Sequence, residues 1–427
     1  MSSLQTDKSD ADYMHDYIKK LGSFTRSPGS EGERKGAEMT AEMMKEYSDE
    51  VEKEEFSLAP KAALGWIKLV IPIFFVALFT FHAVPILSAL LMIFIIFVFL
   101  GQFVFYKKII DPFMPKKTSQ NTYGVINPSG ETRQTVIFSG HLDSPYQFNF
   151  IKWWGGSFYV ILMVLVIATL IFFSVTAITN GISYITDYFN STAAAGGGVS
   201  PELHVRWLAS LYLSPLALLF FFFTTWVETP GCGDNLSGVS VAMGVGRFLQ
   251  NAKQEQEEKF FPRHTRVITM AFGAEEAFLR GAMAYVKKHG EQLKKENTTV
   301  INLETLVGTE KLFVLTRDLN STVKMSSRAV NDVIKASEEK GINIKKMILP
   351  FGGGSTDSAA VAKAGIDTTC ILGIDLGKII QGKGYFNHYH TVRDTPDKVP
   401  LEALQQTLDV CLQYLKNKDE EVSDKQI

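Results

Sequence analysis

The sequence predicts an α/β domain, a mostly parallel mixed sheet flanked by helices, interrupted by four inserted transmembrane helices. Three observations carry this. From residue 228 onward, short apolar runs of strand length alternate with longer helix-like segments, the pattern of a sheet covered on both faces. No charged residue lies between Lys68 and Lys107, an interval long enough for two spans of about 20 residues. Acidic and imidazole side chains recur after the apolar runs, at the edge where open α/β sheets build their sites.

Residues 1–63 read as the N-terminal part of the domain. Helical periodicity runs over 11–21, Ser27-Pro28-Gly29-Ser30 is a turn, and an amphipathic helix over 32–47 leads into 50–56. No apolar core of signal-peptide type occurs in this polar stretch. Residues 64–106 form a first transmembrane hairpin that turns at 82–85. Residues 107–152 return to the domain, with a strand over 135–138 ending at His141-Leu142-Asp143.

Residues 153–227 form a second hairpin, with uncharged apolar stretches at 153–178 and 207–227 and a small-residue connector at 193–198. A soluble core helix rarely runs more than about 18 residues without a charge. All five tryptophans, Trp66, Trp153, Trp154, Trp207 and Trp226, fall at or beside the span ends, where an indole prefers the headgroup layer. Residues 228–416 hold the main part of the domain: a helix after Asp234, strand 267–272, helix 276–289, and strands 299–303 and 312–315. Helix 322–340, strand 344–349, helix 357–364, strand 369–373 and helix 401–415 follow, and the polar tail 417–427 is expected to fray.

The 31 phenylalanines and 21% charged residues fit apolar spans joined to an ordinary soluble domain. A net charge of -2 gives no footprint for nucleic acid, and three cysteines make no disulfide framework. The apolar stretches make the lipid bilayer an expected partner; nothing in the sequence sets an oligomeric state. The 179–205 loop has no Lys or Arg before Arg206, whereas Lys107, Lys108, Lys116, Lys117 and Lys152 cluster between the second and third spans. By the positive-inside rule both termini and the segments of the domain outside the spans face the cytoplasm, the flipped topology being the alternative.

Five segments carry chemistry: His141-Leu142-Asp143, Asp234-Asn235, Glu275-Glu276, Glu304 and His390. Imidazole and carboxylate are the donors Zn²⁺ takes outside thiolate sites. Alone, the His-x-Asp triplet means little, and Asp234 or Asn235 reads as a helix N-cap. Glu275-Glu276 is harder to explain structurally, because adjacent buried carboxylates repel and lose hydration unless a cation is present. One of that pair can bind metal while the other moves protons.

In this order, His141-Leu142-Asp143-Ser144, Gly233-Asp234-Asn235-Leu236-Ser237-Gly238, Ala274-Glu275-Glu276 with Leu279-Arg280-Gly281, Asn302-Leu303-Glu304, and His390-Thr391 with Asp394-Thr395 resemble a known family. It is the di-zinc exopeptidase family of bacterial leucyl-type aminopeptidases, glutamate carboxypeptidases, glutaminyl cyclases and transferrin-receptor-like proteins. Arg26-Ser27-Pro28-Gly29-Ser30 is similar to that family's N-terminal entry. The resemblance implies a zinc exopeptidase-like sheet and two Zn²⁺ per chain, His141 and Glu304 on one, Glu276 and His390 on the other, Asp234 between them. Asp143 would orient His141, and Glu275 would be the general base.

Tyr389 would donate to the oxyanion, or else only pack. Glu304 stands where most relatives carry Asp, and Ser358 follows Asp357 where relatives often carry His. The 352–354 glycine run lacks the Lys-Ser/Thr of a nucleotide loop and is expected to shape a substrate pocket. The resemblance implies a peptide substrate and aminopeptidase activity first, with glutaminyl cyclisation, carboxypeptidase action or a non-catalytic scaffold as alternatives. Asp143 precedes Trp153 by ten residues and Asp234 follows Val227 by seven, which holds both segments within roughly 25–35 Å of the bilayer interface.

Overall fold

The computed structural model describes residues 4, 6, 8–190, 199–254, 260–309, 311–374 and 384–424. Helices α1 (Lys8–Leu21) and α2 (Glu31–Met44) precede strand β1 (Glu50–Leu58). A first apolar hairpin follows, α3 (Ala62–Thr80) and α4 (Pro85–Val98), the latter prolonged by a π-helical turn Phe99–Val104. Strands β2 (Lys117–Ile126) and β3 (Gln134–His141) lead to a second hairpin, α5 (Asn149–Asn190) and α6 (Pro201–Phe220). Next come α7 (Ser237–Gln254), β4 (Thr265–Phe272), α8 (Arg280–Lys295), β5 (Thr298–Glu304), β6 (Leu312–Asp318) and β7 (Val323–Lys324). The chain closes with α9 (Ser327–Glu339), β8 (Ile344–Ile348), α10 (Asp357–Lys363), β9 (Asp367–Leu372) and α11 (Leu401–Asp424).

The strands make one mixed sheet in the order β1-β2-β4-β3-β5-β9-β6-β7, with β8 pairing β6. Its centre, β4-β3-β5-β9, is parallel, while β1, β2, β6 and β7 pair antiparallel at the sides. Apolar residues of α1, α7 and α11 pack on one face, those of α8 and α10 on the other, so the central strands are buried on both sides. Gly238 lets α7 approach the sheet: a Cβ there would stand 2.1 Å from the Leu303 carbonyl oxygen.

Among the described residues, four helical stretches are long and apolar enough to cross a membrane: Ala62–Thr80, Pro85–Val104, Asn149–Asn190 and Pro201–Phe220. They form their own apolar cluster around Phe74, Phe81, Val166 and Phe173, and leave Phe79, Ile161, Ile171 and Leu218 exposed. The two hairpins meet where Gly181 of α5 faces Ala89 of α4; a Cβ on Gly181 would come within 2.7 Å of the alanine methyl.

Several boundaries differ from the sequence expectation. The 179–205 stretch is not simply a loop: α5 stays helical to Asn190, and Asn180 donates to the Phe81 carbonyl. The 193–198 connector lies outside the described residues. The fourth span ends at Phe220 and not at 227, because 223–229 pairs instead with the entry to α5. Tail residues 417–424 continue α11; Asp419 accepts from the Arg263 and His264 amides, which ties them to the domain. The helix expected from 276 begins at Arg280, since 274–279 form a tight loop with left-handed φ at Ala274, Phe278 and Leu279.

Candidate metal centre

Three strand ends and two loops converge. His141 ends β3, Glu304 ends β5, and Glu275-Glu276 follow β4. Asp234 precedes α7, and His390 follows a 3₁₀ turn, Tyr385–Asn387. Strand ends therefore supply only part of the site. Non-glycine residues with left-handed φ cluster here, at Ala274, Thr305 and His390; such conformations cost on the order of 1–3 kcal/mol each and persist where surrounding structure imposes them.

Asp234 sits at the middle. Its Oδ1 lies 3.1 Å from His141 Nε2 and its Oδ2 3.0 Å from His390 Nε2. Glu304 Oε1 is 3.5 Å from His141 Nε2, and Glu276 Oε1 is 3.3 Å from His390 Nε2. Glu275 Oε2 is 3.9 Å from His141 Nε2. The donor atoms fall into two groups that share Asp234, His141-Asp234-Glu304 and Asp234-Glu276-His390, each within 4.8 Å, and a further group joins His141 to Glu275 and Glu276. Tetrahedral ligands about 2.0–2.1 Å from zinc are about 3.3 Å apart, so these spacings suit a metal.

The charge balance points the same way. Asp234, Glu275, Glu276 and Glu304 surround two imidazoles; with all four carboxyls ionised, negative groups would outnumber even two protonated rings, and divalent cations would neutralise the excess. Burial, reinforced by Glu276, pushes Glu275 well above the usual carboxylate range against the opposing pull of His141. Burial likewise pushes Glu304 up to about 7. Burial acts on Asp234 too, but bonds from His141 and His390 overrule it and hold this carboxyl low. Burial would lower His390; Glu276 and Asp234 instead raise it to about 10. Glu304 Oε2 is buried and, among the described residues, has no hydrogen-bond partner.

Asp143 lies beside His141, where it was expected, and makes further contacts. His141 Nδ1 is nearest the Asp143 backbone carbonyl, at 3.1 Å, with the carboxylate at 3.6 Å. The carboxylate also accepts from the Glu275 and Glu276 amides, at 2.9 and 3.0 Å, and so fixes the acidic pair. Asn235 caps α7 by accepting from Gly238 N and also donates to the Leu303 carbonyl, so capping and site assembly coincide at adjacent residues. Tyr389 lies with its ring centroid 4.1 Å from that of His390 and stacks on Phe386.

Residues without an expected role complete the centre. Arg26 is fully buried and donates to the carbonyls of Leu21, Phe24, Leu142, Pro230 and Gly231, drawing the His141 and Asp234 segments together. Asp394 accepts from the Gly233 and Asp234 amides. Asp357 is buried, has no hydrogen-bond partner among the described residues, and is pushed up by burial and by the nearby Glu304 and Asp143 charges. Its sequence position, heading a helix after a glycine run, reads as a cap.

Residues 222–415 match the family model described as peptidase family M28. The aminopeptidase YwaD of Bacillus subtilis is 31% identical over 188 residues, 43% of this chain and 36% of that protein. The chain thus spans about a third of the length of the curated relative it matches. Among solved structures, the zinc aminopeptidase BSAP of Bacillus subtilis aligns with TM-score 0.54 at 17% identity, over 96% of this chain and 95% of that one. The glutaminyl cyclase of Fimbriiglobus ruber aligns with TM-score 0.54 at 11% identity, over 97% of each chain. The fold is that of the zinc aminopeptidase and glutaminyl cyclase structures.

Proposed function

We propose that the chain is a membrane-integral, zinc-dependent exopeptidase, an aminopeptidase, whose catalytic domain is assembled from 1–63, 107–152 and 228–416 and lies on the cytoplasmic side. The observation that carries this reading is Asp234, whose two carboxylate oxygens each face a different histidine, the arrangement a bridging ligand between two cations requires.

His141 and Glu304 would hold one Zn²⁺, Glu276 and His390 the other, with Asp234 shared. Bound zinc would acidify a coordinated water and polarise the scissile carbonyl. Glu275, whose carboxylate stands beside His141 without being assigned to either metal, would take a proton from such a water and return it to the leaving amine. Asp143 keeps the Glu275 and Glu276 backbone in place while Asp234 and Glu304 hold the His141 side. The Tyr389 phenol, beside His390, is the proposed donor to the developing oxyanion. A non-catalytic scaffold would have no physical reason to keep Glu275 buried beside Glu276.

The test is metal analysis of the purified full chain together with cleavage of a peptide library read by mass spectrometry. Zinc content with loss of single N-terminal residues is the expected result. Removal of C-terminal residues, or conversion of N-terminal glutamine to a cyclic product, would reassign the chemistry on the same site. No change in any peptide would overturn it.

A further inference from the structure

The metal centre is built directly on the feet of both apolar hairpins. Phe148, the residue before α5, donates its amide to the His390 carbonyl at 2.8 Å, and the two rings are 4.2 Å apart. At the kink of α5, where Gly155 has φ +82°, the Gly156 amide donates to Asn387 Oδ1, three residues before His390. Phe148 packs on Phe223 at 4.4 Å, and the Asn149 amide donates to the Phe223 carbonyl, so the exit of α6 closes the same wall.

The first hairpin forms the other wall. Tyr106, just past its π-helical end, stacks on Phe278 at 4.0 Å, and its carbonyl accepts from Arg280. Phe278 lies in the 274–279 loop that carries Glu275 and Glu276, and Arg280 opens α8 directly after it. Asn320 donates to the Phe103 and Val104 carbonyls and accepts from the Gly352 amide, which fastens the glycine loop to the same foot. Beside these feet the domain leaves Phe113 86% and Phe351 55% exposed, and Trp153 and Trp154 of α5 are about half exposed. Exposed aromatics at the ends of membrane-length helices suit the headgroup layer.

A ligand whose ring touches the residue preceding a span cannot stand a domain's length away from the bilayer. Resting on the peptidase reading above, we infer that the substrates are peptides held at the membrane surface, lipidated or carrying an apolar segment that partitions into the bilayer, with a free N-terminus close to that anchor. The centre sits at headgroup depth between the hairpin feet and receives the N-terminus there. A freely diffusing peptide gains nothing from this placement; an anchored one is delivered at high local concentration.

The test uses the full chain in phosphatidylcholine nanodiscs, where both bilayer faces are open. The best soluble peptide from the library is compared with the same peptide carrying a C-terminal palmitoylated lysine behind a polar spacer. A spacer of about 4 residues reaches at most about 14 Å, and one of about 16 residues about 58 Å. The anchored peptides should be cleaved with kcat/KM at least about 10-fold above the unanchored one, the gain expected from tethering. The short spacer should support at least half the rate of the long one. Cleavage only with the long spacer, or equal cleavage of the unanchored peptide, would overturn the inference while leaving the peptidase reading intact. Failure to cleave the soluble and both anchored peptides would overturn both.

Discussion

The two apolar hairpins enter the same domain by different constructions. The first fills the connection between β1 and β2, neighbouring antiparallel strands in which Leu58 faces Lys117; it is in effect an enlarged β-hairpin loop. Its foot is held largely by side chains: Gln102 bonds Ala62 O, Ile109 N, Ile110 N and Asp111, while Arg280 pairs with Asp111. The second hairpin instead separates His141 from Asp234, so its neck must return the chain to within hydrogen-bond distance of where it left. That neck is a backbone zipper. Gln147 N donates to Val227 O, Thr229 N to Pro145 O, Tyr146 bridges Glu228, and Arg26 laces both arms. An insertion beside a site can be held by side chains alone, whereas one between two residues of the candidate metal site must be closed at its base.

Substitutions can break or sharpen this contrast. The largest effect belongs to the chemistry on which both hairpins converge: Glu275→Gln should lower hydrolysis by about 10³-fold, within the range for a general base, with zinc content unchanged. Zinc loss in step with activity would show that Glu275 is a ligand. Next is the neck of the second hairpin. Arg26→Met leaves five backbone carbonyls without their donor, and a destabilisation of about 3–5 kcal/mol is expected, with zinc lost before the helical circular dichroism signal. Zinc retained at full stoichiometry would mean that the backbone zipper alone closes the base.

At the first hairpin, Asp111→Asn weakens the bond to the buried Arg280 and should cost about 1–3 kcal/mol in thermal stability while zinc stays bound. If this change strips the metal, the two hairpins are equally coupled to the site and the contrast fails. A smaller effect is expected of Glu304→Asp, which shortens one ligand arm: activity should stay within about 10-fold, a cost near 1.4 kcal/mol. Loss of all bound zinc would show that the backbone after β5 is fitted to the longer side chain.

Orientation is the last test, and it changes no rate. In a background without Cys232, Cys370 and Cys411, a cysteine at exposed Asp187 near the far end of α5 should react in intact cells with an impermeant thiol reagent, and one at exposed Glu402 only after lysis. The reverse pattern would place the catalytic domain outside.

Much of this was legible along the chain because it rests on local physics. Charge-free runs, apolar strands and acidic or imidazole residues after them announced the long apolar helices, the parallel centre of the sheet and the side chains His141, Asp234, Glu275, Glu276, Glu304 and His390 that the fold brings together. The limits of such reading are physical too. The end of α6 and the start of α8 depend on partners remote in sequence, the 145–149 segment for one and the Asp143 carboxylate for the other. Only the tertiary structure decided that the Asp143 carboxylate braces a backbone turn, that Asp357 is buried with no hydrogen-bond partner among the described residues, and that Arg26 joins the two arms of the neck. Residue type and periodicity determine what a segment can bury or ligate; which atoms meet depends on chain reversals that bring residues 26, 142 and 230 into one contact, and no local pattern encodes that distance.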